Sequence, residues 1–260
     1  MYIPFISVIV TTHNRPNLLA RALQSLLLQN FLDFEIVLCS DESSEFTKQV
    51  ANSLLRPQDS FISVPHIKGP AGTRNLGISV SSGKWVCFLD DDDTFDKEFL
   101  SKATNLLVNS NQLHYFNFKE IIESRDEQII ETISTIVKDI SNSFSEQLFV
   151  GNFIPNNAIF VPNDVAKNNP FDIRLQSHED WDWLISLMFK GYEFIHHPVW
   201  GPNVHLHTGE SRNFNLNSQY SKMLDFLSIY RKWPIDSDQL RELRSLQMEK
   251  YGLKLAKGLL

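Results

Sequence analysis

The stretch that most constrains the fold is Trp85-Val86-Cys87-Phe88-Leu89 running straight into Asp90-Asp91-Asp92-Asp93. Five consecutive apolar or aromatic residues make a strand that must be covered on both faces. Four carboxylates then sit where that strand ends. Packed carboxylates repel one another and lose solvation, so a fold keeps them together only beside a cation or water. Hard divalent cations take oxygen ligands, and Mg2+ or Mn2+ bridges carboxylates to phosphates. The run therefore reads as a strand end that holds a metal, with the metal holding a diphosphate. A solvated acidic loop is the plainer alternative for the run in isolation.

The neighbouring sequence bears on that choice. Phe5 to Val10, Phe34 to Cys39 and Phe61 to Val64 read as further strands, rich in β-branched and aromatic residues. Between them lie helical patterns: Pro16 to Leu27, with leucines at helical spacing, Phe46 to Leu55, and Thr73 to Val80. Gly69 to Gly72 reads as a turn before the third helix. Alternating strands and helices imply a mostly parallel sheet with helices on both faces, and ligands in such sheets sit beyond the carboxyl ends of the strands. Polar clusters fall at three of those ends: Thr11 to Arg15, Ser40 to Ser44, and Asp90 to Asp93.

After a helix over Phe99 to Val108 the pattern changes. Leu113 to Ile122 and Glu127 to Ile136 alternate like antiparallel strands, and Phe153 to Val161 contains another. Ser177-His178-Glu179-Asp180-Trp181 leads into a helix ending before Gly191. Phe194 to Val199 is a strand, followed by a loop bearing His205 and His207. The segment from 215 onward reads as helical, with Leu240, Leu243, Tyr251, Leu255 and Leu259 on one face. The expected division is a catalytic domain over residues 1–212, in halves 1–108 and 109–212, and a helical extension over 213–260.

Composition narrows the classes. A net charge of -7 argues against a general nucleic-acid binder. Cys39 and Cys87 both lie in strand-like apolar runs, as buried thiols of a reducing compartment would. The apolar run at the start is too short for a signal peptide, and no stretch approaches the ~20 apolar residues of a membrane span. The expectation is a cytoplasmic protein. The last segment has two readings. Arg231, Lys232, Lys250, Lys254 and Lys257 among leucines suit peripheral contact with the inner face of a membrane. Interleaved Asp236, Asp238, Glu242 and Glu249 suit packing on the catalytic domain or on a second copy in a homodimer.

Taken in order, Ser7 to Arg15, Asp41, Gly72-Thr73-Arg74-Asn75, Phe88 to Asp93 and Glu179-Asp180-Trp181 resemble the family 2 inverting glycosyltransferases of the GT-A fold, over about residues 4 to 210. The resemblance implies a mostly parallel Rossmann-like α/β sheet, a small antiparallel acceptor-side region and a helical C-terminus. It also implies transfer of a sugar from a nucleotide-sugar, usually a UDP-sugar, to a glycan or lipid-linked acceptor hydroxyl in bacterial polysaccharide synthesis. By resemblance, Thr11 and His13 line the base pocket and Asp41 accepts a hydrogen bond from the base. Arg74 lies near the donor, and Arg15, Asp90 and Asp91 complete the donor-binding set. Asp92 holds Mn2+ or Mg2+, with His207 as a further candidate ligand. Asp180 is the base, with Glu179 as fallback. Ser40 and Glu42 depart from the family's usual residues beside Asp41. Each residue also has a plainer role: Asp41 as a helix cap, Arg74 as a surface cation, Glu179-Asp180 as favourable charge at a helix start. A nucleotidyltransferase, disfavoured by the absence of glycine from Thr11 to Arg15, and a non-catalytic nucleotide-sugar-binding module are the other functions considered.

Overall fold

The computed structural model describes residues 3–42, 44–67, 69–125, 130–143, 145–175, 177–208, 216–250 and 252–253. Strands β1 (Ile6–Thr12), β2 (Phe34–Ser40), β3 (Ser60–Ser63) and β4 (Trp85–Asp90) run parallel in the order β3-β2-β1-β4. Helices α1 (Pro16–Leu27), α2 (Glu45–Leu54) and α3 (Gly69–Val80) connect them. The sheet continues beyond β4 through β8 (Ile159–Pro162), which leads into helix α5 (Asn163–Asn168), then β6 (Leu113–Arg125), β9 (Phe194–His207) and β5 (Thr94–Phe95). Strand β7 (Ile130–Lys138) pairs antiparallel with β6. This is the expected architecture: a parallel half followed by a half with antiparallel pairs, β8 against both β4 and β6.

The alternation of side chains along the strands builds two cores. Val8, Val10, Ile36, Leu38, Cys87 and Leu89 face α1 and α4 (Phe99–Leu107). Ile9, Val37, Cys39 and Phe88 face the other way, onto α3 and α6 (Glu179–Phe189). The only polar residue in the middle of β1, Ser7, is on the second face, where its hydroxyl donates to Glu35 Oε1 at 2.6 Å and accepts from Gly83 N at 2.8 Å. Burial of all these strand residues is complete or nearly so, so the hydrophobic term fixes the register. Cys39 and Cys87 are buried and unbridged, and burial pushes the Cys39 thiol up to about 12.

Helices α7 (Leu216–Lys232) and α8 (Asp238–Glu249) pack into the second core through Phe226, Ile229, Tyr230 and Met248. Arg244 of α8 is fully buried and donates to the carbonyls of Phe149, Tyr230 and Trp233. Among the described residues no helix is long and apolar enough to cross a membrane. Tyr251, Lys254, Leu255, Lys257, Leu259 and Leu260 lie outside the described residues.

Three sequence expectations need correction. Gly69 to Gly72 is the first turn of α3, not a separate turn: Pro70 suits a helix start, and a Cβ on Gly72 would lie 2.6 Å from Ile67 Cγ2. The loop expected at 204 to 207 is strand, because β9 runs on past Pro198 and Pro202 beside β6, with shifts in register at Asn117. In α8 the buried side chains are Arg244 and Met248, while Leu243 is exposed, because Arg244 supplies donors that loose carbonyl ends require.

Phe88 anchors the second core, with its ring edge-on to Phe171 at 5.5 Å and to Trp183 at 5.6 Å. Phe88→Ala is expected to cost about 3–5 kcal/mol of unfolding free energy. Urea denaturation checks this; a loss below about 1 kcal/mol would contradict the packing.

Candidate functional site

The order β2-β1-β4 makes a switch point at the carboxyl end of β1, where neighbouring helices leave toward opposite faces. Thr11 pairs in register with Asp90 of β4 on one side and Cys39 of β2 on the other. A cavity of about 830 Å³ opens there. It is lined by Thr11, His13, Arg15, Asp41, Arg74, Asp90, Asp92, Glu179 and Asp180, among others. Nine of the expected site residues thus share one space, while Asp91 and His207 are not in its wall.

The four aspartates separate by what they touch. Asp90 accepts from Thr11 Oγ1 and from Arg74 Nη2, both at 2.9 Å. Burial works against its charge, yet the Arg74 guanidinium and the Thr11 hydroxyl hold its pKa below the ordinary value. Asp91 turns inward, fully buried, onto Thr12 Oγ1 at 2.6 Å and the Arg15 guanidinium. Burial pushes it up to about 6 in spite of Arg15. Asp92 faces the cavity and accepts from Arg15 Nη1 at 3.0 Å. Asp93 accepts from Asn157 Nδ2 at 3.0 Å and from the backbone N of His205 at 2.9 Å. Asp91 and Asp93 therefore hold the turn, and Asp90 and Asp92 present it.

On the other wall, Glu179 and Asp180 begin α6. Glu179 is 6% exposed and accepts from Arg74 Nη1 at 2.5 Å. Arg74, 4% exposed, thus spans from β4 to α6. With the Asn156 amide oxygen turned toward it, Arg74 Nε donates there too, at 2.7 Å. Burial opposes the Arg74 charge, but Asp90, Glu179 and Asp180 outweigh it and raise its pKa above the ordinary value. Asp180 is only partly buried. Its Oδ1 accepts from the N of Trp181 at 2.8 Å and its Oδ2 from Asn152 Nδ2 at 3.0 Å. Desolvation, and then repulsion from Glu179, push its pKa up to about 6 against the pull of Arg74. At the mouth, His13 Nδ1 lies 2.7 Å from Asp41 Oδ1.

Two groups near the site were not legible from spacing. Glu123 of β6, 1% exposed, accepts from Arg21 Nη1 at 2.8 Å and Arg125 Nε at 2.6 Å, and lies 2.9 Å from His205 Nδ1. Burial opposes its charge, but Arg21, His205 and Arg125 lower its pKa to about 2. Arg125 Nη1 in turn lies 4.0 Å from Asp92 Oδ2. Asn156 and Asn157 contact Arg74 and Asp93, and no spacing in the sequence shows those contacts. His207, the expected additional metal ligand, is strand-bound in β9, with Nδ1 accepting from the N of Arg125 at 3.1 Å.

The donor set fits a hard divalent cation of a particular kind. Asp90 and Asp92 supply carboxylate oxygens to one cavity, and among the described residues no cluster of three or more His, Cys, Asp or Glu could cage a metal. Two carboxylates facing one cavity are oxygen donors of the type that Mg2+ or Mn2+ takes.

Residues 7–161 match the family model described as glycosyl transferase family 2. The chain belongs to that family. Among curated relatives, a Campylobacter jejuni GalNAc(5)-diNAcBac-PP-undecaprenol beta-1,3-glucosyltransferase is 40% identical over 119 residues, 44% of this chain and 37% of that one. The Escherichia coli UDP-Glc:alpha-D-GlcNAc-diphosphoundecaprenol beta-1,3-glucosyltransferase WfgD is 23% identical over 70% of this chain and 69% of that protein. The match to the first of these spans well under half of the relative's length. Among solved structures, S. aureus TarS in complex with UDP-GlcNAc superposes with TM-score 0.61 at 18% identity, over 95% of this chain and 72% of that one. The Pyrobaculum calidifontis mannosyltransferase PcManGT in complex with GDP-Man and Mn2+ gives 0.62 at 13%, over 97% and 74%. These structures bear out the GT-A fold.

Removing Arg74 would leave Glu179 buried and Asp90 half-buried without their cation. Arg74→Met is expected to destabilise the fold by about 3 kcal/mol, the low end for breaking a buried pair, because the Asp90 side chain is 35% exposed. A thermal melt or urea titration measures it, and an unchanged stability would show that Arg74 is not the tie between the walls.

Proposed function

We propose that this family 2 member transfers a sugar, with inversion, from a UDP-sugar to a hydroxyl of a lipid-linked glycan in bacterial polysaccharide synthesis. One observation carries the reading: a carboxylate with its pKa raised to about 6, Asp180, shares a cavity with the Asp90 and Asp92 carboxylates. The donor-side residues are Thr11, His13 and Asp41 for the base, with Arg15, Arg74 and Asp90 toward the ribose and diphosphate. Support for the donor class is indirect: WfgD carries UDP-Glc in its name, and TarS was solved with UDP-GlcNAc. Support for the acceptor class comes from the undecaprenol-linked substrates named for two relatives.

In the reaction the bond from the anomeric carbon to the diphosphate oxygen breaks as the acceptor oxygen bonds to that carbon from the opposite face. Asp180 takes the acceptor's proton. A pKa near the working pH is what a general base needs, since it must be ionised and still basic enough to accept. Glu179 is the poorer candidate because its carboxylate is committed to Arg74. What a Mg2+ or Mn2+ held by Asp92 would supply is charge neutralisation on the leaving diphosphate. Asp90, fixed by Thr11 and Arg74, orients the donor, and Arg15 adds positive charge at the same end.

Asp180→Asn is expected to keep UDP affinity and lose about 10²–10⁴-fold in turnover. For the native chain, kcat/KM should fall below about pH 6, where Asp180 becomes protonated, by about tenfold per unit. Assays over a panel of UDP-sugars test both. Normal turnover in Asp180→Asn together with a dead Glu179→Gln would move the base to Glu179.

Asp92→Ala is expected to abolish the Mn2+ dependence of UDP binding measured by calorimetry. The same metal-dependent gain in the variant would place the cation elsewhere.

A further inference from the structure

The turn that presents Glu179 and Asp180 is strained. His178, the residue before α6, has φ +58°, a left-handed conformation in which a Cβ crowds the following carbonyl. Such a conformation persists only where its surroundings determine it. Trp181 of α6 supplies part of those surroundings, its ring centroid 6.1 Å from that of His178, and α7, far along the chain, supplies another part. Ser177 Oγ donates to Asp225 Oδ2 at 2.6 Å and lies 2.7 Å from His178 Nδ1. A serine hydroxyl has one proton; given to Asp225, it leaves the oxygen to accept from His178 Nδ1–H. The Phe226 ring then stands edge-on to the His178 ring, 4.7 Å between centroids. One turn into α6, Asp182 is held by Lys232 Nζ and Trp233 Nε1 at 2.8 and 2.7 Å.

We propose that α7 is a working part of the active site: Asp225, acting through Ser177 and His178, is a positioning residue that holds the left-handed turn aiming Asp180 across the cavity. The matched family region stops at residue 161, before both the turn and the helix. This rests on the proposed role of Asp180, but the contact itself can be tested without it. The helix beyond residue 213 is then needed for the chemical step rather than only for attachment or solubility.

The test compares Asp225→Ala with the native chain, in the native background and in His178→Gly. Glycine takes positive φ without steric cost, so it removes the need for the hold. The expected result is a fall of about tenfold in kcat on the native background, with UDP affinity within about twofold. In the His178→Gly background, Asp225→Ala should cost less than about threefold. Hydrogen exchange at the amides of residues 179–182 should also quicken in Asp225→Ala. An equal cost in both backgrounds, a parallel loss of UDP affinity, or unchanged exchange at those amides would overturn the inference. A native chain that neither binds UDP nor turns over any nucleotide-sugar, with exchange at those amides still quickened by Asp225→Ala, would sink the reading of the site and leave the positioning intact.

Discussion

The candidate site turns on the buried guanidinium of Arg74. Arg74 lies between the end of β4 and the start of α6 and satisfies a carboxylate of each. Neither Asp90 nor Glu179 would tolerate that position alone, and the guanidinium would not be buried without both. A lysine could not replace it, because one fork has to serve Asp90, Glu179 and Asn156 in three directions. The interaction gives the cavity a negative wall suited to a metal-bound diphosphate and an opposite wall suited to taking up a proton. It also divides Glu179 from Asp180: one carboxylate is spent on structure, and the other is left desolvated with its pKa raised.

Around that cation the charges are nested. Asp91 and Arg15 lock the turn after β4 from one side, and Asp93 with Asn157 and His205 from the other. Glu123 then gathers Arg21, Arg125 and His205 behind Asp92, with Arg21 also donating to the Asp92 carbonyl at 2.6 Å. Buried polar groups in such numbers are costly unless partnered; the carboxylates here are, while among the described residues Arg21 Nε and Asn157 Oδ1 are buried without a hydrogen-bond partner. The arrangement favours rigidity of the strand end over economy of stability, as a site that works by electrostatic preorganisation requires.

Much of this was legible in the residues. The apolar run ending in aspartates placed β4 and its charged end, and the alternation of strand and helix patterns placed the parallel half. The match of three polar strand ends located the cavity. What spacing could not show was which carboxylates face it. Asp90 ends β4, and Asp91 to Asp93 follow on a turn, where neither the strand nor the helix period applies, so the inward roles of Asp91 and Asp93 were hidden. Glu123 lies just past the strand expected over Leu113 to Ile122, and its partners come from α1 and β9, 102 and 82 residues away. His207 was expected in a loop after the strand ending at Val199, yet β9 continues to His207 by shifting register against β6. The contact of α7 with the turn before Glu179 joins residues 48 apart and leaves no local pattern.

The central claim is that the cavity has two chemically opposed walls, with the leaving group on the Asp90–Asp92 side and the base facing the anomeric carbon from the Asp180 side. The most direct measurement is a crystal structure with a non-hydrolysable UDP-sugar and Mn2+, the metal located by its anomalous scattering. The account predicts manganese between Asp92 and the diphosphate, and the Asp180 carboxylate beyond the opposite face of the sugar ring. Manganese away from Asp92, or Asp180 on the same side of the anomeric carbon as the diphosphate, would contradict it.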